Sequence, residues 1–171
     1  FSLSRKIPQI IVCNTRKALS SLSCCFYNNP SQKINVVGVT GTNGKTTTTF
    51  LTKSVIEKAG YEAGLIGTIN YQVGKKIIPA QETTPESVEL QQMLNTLLRA
   101  GVKDVVMEIS SHAIALNRVD NVDVDIEEPM PSGGGTDFDS EVASIERELG
   151  GGEESPEKEI QSLTGKLGQA I

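Results

Sequence analysis

Residues 40–48, TGTNGKTTT, bring together the residue types that bind phosphate. Gly41 and Gly44 let backbone N–H groups turn inward with no Cβ in the way. Lys45 supplies a point charge for β- and γ-phosphates and Thr46 a hydroxyl for Mg²⁺. A helix starting at that point aims the positive end of its dipole at the same anion. Gly41, Thr42, Asn43, Gly44, Lys45, Thr46 and Thr47 are therefore the expected lining of a nucleotide polyphosphate site, with ATP and Mg²⁺ as its ligands. The strict G-x-x-x-x-G-K-[ST] spacing would require glycine at position 39, where Val39 stands, so the motif is a variant with Gly41 as its first turn residue. An ordinary Gly-rich strand-to-helix turn is the competing reading, and it offers no packing reason for a Lys–Thr pair at the helix start.

Such a loop needs a buried strand behind it and a helix in front. Ile34, Val36, Val37 and Val39 supply the strand. The helix is predicted over 45–59, with Leu51, Val55 and Ala59 on one face and Gly60 as its stop. Upstream, 9–12 reads as a short strand, and 15–26 as an amphipathic helix with Ala18, Leu19 and Leu22 on one side, ended by Asn28, Asn29 and Pro30. Downstream, 63–69 reads as a second strand and the β-prone runs on either side of Gly74 as a hairpin. Residues 87–100 form a helical pattern carrying Val88, Met93, Leu94, Leu97 and Leu98, closed by Gly101. The run DVVMEI at 104–109 is a third strand. Strands separated by helices of this length imply βαβ units, hence an α/β fold with a parallel sheet flanked by helices and the phosphate loop at its carboxyl edge.

That edge is also where Glu108 would emerge, which makes it the expected second Mg²⁺ ligand and, with Lys45, the expected catalytic pair. The alternative is a strand-end charge facing solvent. Thr83 and Thr84 lie on an extended loop held by Pro85 and offer hydroxyls and amides to a carboxylate or sugar phosphate.

Composition bounds the rest. The 171 residues carry a formal charge of −5 and 4% aromatics with no Trp, so aliphatic packing must supply the core. Residues 1–126 hold 13 Lys+Arg against 10 Asp+Glu, whereas 127–171 hold 3 against 11. The acidity belongs to the tail, and neither part suggests nucleic acid binding. Cys13, Cys24 and Cys25 form no C-x-x-C and read as small buried thiols in a reducing, cytoplasmic setting. No apolar run is long enough to cross a bilayer. Within the tail, glycine-rich linkers at 131–135 and 150–152 separate two short amphipathic patterns. Phe138, Val142, Ile145 and Leu149 share one face, with Thr136 and Asp139 as a capping box; Ile160, Leu163, Leu167 and Ile171 share the other, after Ser155 and Pro156. They are open to three readings: a helical hairpin, a dock for a protein partner, or a mobile acidic segment.

Four blocks carry a family resemblance: RKALSSLSCCFYNNPSQK at 16–33, the phosphate loop at 40–48, TTPES at 83–87 and MEISSHAIALNRV at 107–119. In order and spacing they resemble the Mur ligases, and within them the branch that adds the third amino acid to the UDP-MurNAc-dipeptide precursor of peptidoglycan. The phosphate loop alone is similar also to that of the sister Mur ligases, folylpolyglutamate synthase and cyanophycin synthetase. The resemblance implies ATP-dependent amide formation, with UDP-MurNAc-dipeptide and diaminopimelate or lysine as small-molecule partners. It implies that 1–33 are the end of an N-terminal domain and its linker, 34–126 part of the central ATP-binding domain, and 127–171 an unmatched acidic tail. It also implies that Thr83, Thr84, Ser110 and Arg118 contact the substrate peptide and diphosphate; the competing use of Arg118 is a salt bridge with Asp120. His112, the only histidine, stays outside the catalytic set. Glu82 departs from the pattern, since some relatives carry Asn before the two threonines. After Asp125 the family continues with another strand, a metal-binding His, a carbamylated Lys and a domain for the incoming amino acid. The sequence offers none of these, so the chain is expected to be a fragment that does not complete ligation alone. Two other readings are a different P-loop enzyme and a non-catalytic scaffold. A GTPase would show Asn-Lys-x-Asp and Asp-x-x-Gly, and neither string occurs.

Overall fold

The β-prone runs assemble into one six-stranded sheet in the computed structural model, which describes residues 10–124 and the backbone of 126–129. In chain order the elements are α1 (Thr15–Phe26), β1 (Asn35–Thr40), α2 (Lys45–Lys58), β2 (Ala63–Ile66), β3 (Asn70–Val73), β4 (Lys76–Pro79), α3 (Ser87–Arg99), β5 (Asp104–Glu108), α4 (Ser111–Ala115) and β6 (Ile126–Pro129), with a 3-10 turn at Pro30–Lys33. The sheet order is β4-β3-β2-β5-β1-β6. β1, β2 and β5 run parallel, with Val36 opposite Val105 and Leu65 opposite Val106. β3 and β4 form the expected antiparallel hairpin at the far edge.

Helices cover both faces, as parallel strands require, and this is why β2 is buried at all four positions and β5 from Val105 to Glu108. On one face Leu90, Leu94 and Leu97 of α3 pack on Val36, Ile66, Val105 and Met107. Each such leucine contributes about 1.5–3 kcal/mol by leaving water. Gly64 is what lets α3 come so close: a Cβ there would stand 2.7 Å from Leu97 Cδ2. On the other face α2 lies on the sheet through Thr49, which is fully buried and donates its hydroxyl to the Lys45 carbonyl at 2.7 Å.

Several expectations need correction. Residues 10–12 form no strand; Ile10 and Ile11 are exposed, because the run pairs with neither sheet edge and a lone extended segment has no ladder to satisfy it. α1 forms where expected, its N-terminus capped by the Asn14 side chain accepting from the amides of Arg16 and Lys17 at 2.9 and 3.0 Å. Its buried face, however, is Ser20, Ser23 and Cys24 against α3, while Leu19 and Leu22 point outward. In α2 the predicted apolar face also points outward, Leu51 and Val55 being exposed. The strand predicted over 63–69 stops at Ile66 and the chain bends through 67–69. Of the three cysteines only Cys24 is buried; Cys13 and Cys25 are exposed. The further strand thought missing after Asp125 is present, since the backbone of β6 pairs parallel with β1, Val37 opposite Ile126 and Thr40 opposite Pro129. The helical patterns expected between 136 and 171 lie outside the described residues.

Candidate nucleotide and metal site

The carboxyl ends of β1, β5 and β2 lie side by side, and each contributes one part of a single site. β1 leads into the loop 41–44, where Gly44, with φ of 81°, takes the left-handed conformation that turns the chain into α2. Lys45 opens the helix, and its ammonium folds back to donate to the carbonyls of Gly41 and Thr42. These are neutral acceptors. A polyphosphate offers the ammonium a charged one, worth roughly twice as much per hydrogen bond. Thr42, Asn43, Gly44 and Thr47 are exposed along the loop and first turn, whereas Gly41, Lys45 and Thr46 are half-buried.

β5 brings Glu108 to the same place. It is 1% exposed, which overturns the solvent-facing alternative. Thr46 donates its hydroxyl to Glu108 Oε2 at 3.0 Å across a sequence separation of 62 residues. β2 ends in the bend that completes the carboxylate's environment: the Thr68 amide donates to Oε1 at 2.9 Å and the Thr68 hydroxyl to Oε2 at 3.0 Å. Gly67 admits this approach, because a Cβ there would meet Oε1 at 2.5 Å. Neither Gly67 nor Thr68 was anticipated from sequence. The signal was the strand order, since Thr68 reaches Glu108 only because β5 inserts beside β2.

Three donors occupy three of the roughly four lone-pair positions of a carboxylate, two of them on Oε2, so a cation beside Thr46 would take the place of the Thr46 hydrogen bond there. The oxygens of Thr46 and Glu108 are hard donors of the kind Mg²⁺ takes. No group of three or more His, Cys, Asp or Glu among the described residues is placed to hold a metal unaided. That donor set fits a cation completed by phosphate oxygens and water, which is how Mg²⁺ is usually bound.

The expected substrate residues lie next to this site in differing situations. The Thr83 hydroxyl stands 3.1 Å from that of Thr68, and Thr83 is partly exposed. Thr84 is buried and fully engaged: it donates to the Glu108 carbonyl at 2.8 Å and accepts from the Ser110 amide at 3.1 Å. Ser110 caps α4 by accepting from the Ala113 amide at 3.2 Å. Arg118 pairs with Glu82, with Glu86 at 2.8 Å, and with the Thr84 carbonyl at 2.9 Å, rather than with Asp120. Glu82, the residue that departs from the family pattern, is thus tied to a guanidinium. His112 is exposed and outside this cluster.

The family profile described as Mur ligase middle domain matches residues 39–127. Curated proteins named UDP-N-acetylmuramoyl-L-alanyl-D-glutamate--2,6-diaminopimelate ligase are similar to this chain. That of Caldanaerobacter subterraneus subsp. tengcongensis is 45% identical over 120 residues, covering 70% of this chain and 25% of its own length. That of Geobacter sulfurreducens is 49% identical over 117 residues, covering 68% and 23%, and that of Aquifex aeolicus 48% over 117, covering 68% and 24%. A solved structure of a ligase with the same name superposes with a TM-score of 0.64 at 21% identity, over 85% of this chain and 30% of that one, a likeness of fold. The chain spans about a quarter of the length of the curated relatives it matches.

Proposed function

Because the chain belongs to the Mur ligase family through its middle domain, we propose that it carries the nucleotide-binding part of an ATP-dependent amide ligase of peptidoglycan precursor synthesis. The substrates in this reading are UDP-MurNAc-L-Ala-D-Glu and a third amino acid, diaminopimelate or lysine, with the relatives' names favouring diaminopimelate. The observation that carries the reading is the Thr46 hydroxyl bonded at 3.0 Å to the buried Glu108 carboxylate at the mouth of α2.

Residues 34–126 act in this reading as part of the central ATP-binding domain, after the end of an N-terminal domain and linker in 1–33 and before the acidic tail 127–171. The amides of the loop from Gly41 through Thr47 cradle the polyphosphate, and Lys45 neutralises the β- and γ-phosphates. Thr46 and Glu108 would hold Mg²⁺, which, when bound, supplies charge neutralisation for phosphoryl transfer. The reaction of the whole enzyme transfers the γ-phosphoryl group to the substrate carboxylate; the amine then displaces phosphate from the acyl phosphate and forms the amide. For the residues present here catalysis is positioning plus electrostatics. Thr83 has a partly exposed hydroxyl suited to the substrate, and Arg118 presents two N–H groups that an anion would compete for against Glu82 and Glu86. Thr84 and Ser110 would meet the substrate only by exchanging bonds they already make, since the Thr84 hydroxyl holds the Glu108 carbonyl and the Ser110 amide, and the Ser110 hydroxyl caps α4.

The test is calorimetric titration of the chain with Mg²⁺ and a non-hydrolysable ATP analogue. Lys45→Ala removes a charge-assisted contact and is expected to weaken binding by about 2 kcal/mol or more. Equal affinity in wild type and variant rejects the role of Lys45.

A further inference from the structure

Thr68 bridges the Glu108 carboxylate and the Thr83 loop. Its hydroxyl lies 3.0 Å from Glu108 Oε2 and 3.1 Å from Thr83 Oγ1. A hydroxyl has one proton and an ionised carboxylate only accepts, so Thr68 gives its proton to Glu108 and accepts that of Thr83. Its amide fixes the other carboxylate oxygen. Glu108 is thereby held in one orientation, with Oε2 facing Thr46, and the neighbouring Gly67 leaves no side chain to displace Oε1.

We propose that Thr68 is a positioning residue, which aims Glu108 at the cation beside Thr46 and links that aim to the Thr83 loop. The proposal rests on the nucleotide reading above and adds to it a residue outside the phosphate loop. Thr68 is exposed as a whole residue, so its methyl group fills no core. Thr68→Val therefore removes the hydroxyl without opening a cavity and keeps the amide, while Thr68→Ser keeps both.

The experiment measures affinity for a non-hydrolysable ATP analogue by calorimetry, once with Mg²⁺ and once with EDTA, for wild type, Thr68→Val, Thr68→Ser and Gly67→Ala, with thermal unfolding midpoints as the fold check. The strengthening of binding by Mg²⁺ is expected to fall about tenfold in Thr68→Val and to survive in Thr68→Ser. Affinity in EDTA is expected to stay the same in all three. Gly67→Ala, whose Cβ would crowd Oε1, is expected to reproduce the Thr68→Val result with the hydroxyl intact. A Thr68→Val chain that keeps the full Mg²⁺ effect overturns the proposal, as does a Thr68→Ser chain that loses it equally, while the nucleotide reading stands. A wild-type chain whose nucleotide affinity ignores Mg²⁺ overturns both.

Discussion

At the scale of single residues, the site depends on one buried carboxylate with three donors aimed at it. Replacing Glu108 by Leu removes the acceptor of the Thr68 amide and of the hydroxyls of Thr46 and Thr68, and a hydrogen bond to a charged group contributes about 1.5–3 kcal/mol. Urea unfolding of Glu108→Leu should show a loss of at least that size. The Cys24 thiol makes a second, pH-dependent prediction. Burial, with the nearby Cys25 and Asp123 adding to it, pushes the Cys24 thiol above its ordinary value. The folded state thus keeps this proton to higher pH than the unfolded state does. The resulting stability is full below the unfolded thiol value of about 8.5 and declines as pH rises beyond it. Cys24→Ala should flatten that decline in chemical unfolding curves measured between neutral and alkaline pH. The places of Lys45 and Thr46 at the start of α2 and of Glu108 at the end of β5 were legible, because a Gly-rich turn and the end of an apolar run are local signals in a linear sequence. Thr68 and Gly67 were not, because their meaning comes from a carboxylate forty residues away, on a strand that inserts beside their own.

Among the elements, periodicity located the helices but did not say which face would be covered. In α1 and α2 the regular apolar residues point outward, and small hydroxyl-bearing residues face the neighbouring elements. The reason in α2 is geometric: Thr46 must face Glu108, which places Thr49 one turn later on the sheet and sends Leu51 and Val55 outward. Surface positions of this kind tolerate change, so Leu22→Gln in α1 should alter stability by no more than about 0.5 kcal/mol in urea titration. The interface between α3 and β2 is the opposite case. Gly64→Ala drives a methyl group toward Leu97, at 2.7 Å in a fully buried contact, and should cost about 1–3 kcal/mol. Adding Leu97→Ala should make the two costs less than additive, since the new methyl then fills part of the space vacated. Strand positions were read well for β1, β5 and the β3–β4 hairpin, whose alternation and turn residues are local signals. β6 was not, because four residues with two adjacent acids resemble a strand only once β1 stands beside them.

At the scale of the whole molecule, the 120 residues matched in the Caldanaerobacter relative cover about a quarter of its length. Incubated with ATP, Mg²⁺, UDP-MurNAc-dipeptide and diaminopimelate or lysine, the chain alone should give no tripeptide product by mass spectrometry, because fixing the attacking amine supplies up to roughly 7–11 kcal/mol of the rate enhancement. Turnover near that of a full-length relative would overturn this. The sheet order has one further consequence, in time. β1 and β2 follow one another in the chain yet touch only through β5, and Asn35 meets Asp104 across 69 residues. On the ribosome β1 therefore waits for the middle strand to be made, roughly 3–14 s at about 5–20 residues per second. Until then Val36, Val39, Leu65 and Ile66, all fully buried in the finished fold or nearly so, have no strand between them. A nascent chain halted after Gly101 should sediment as aggregate, and one carried past Glu108 should stay in the supernatant.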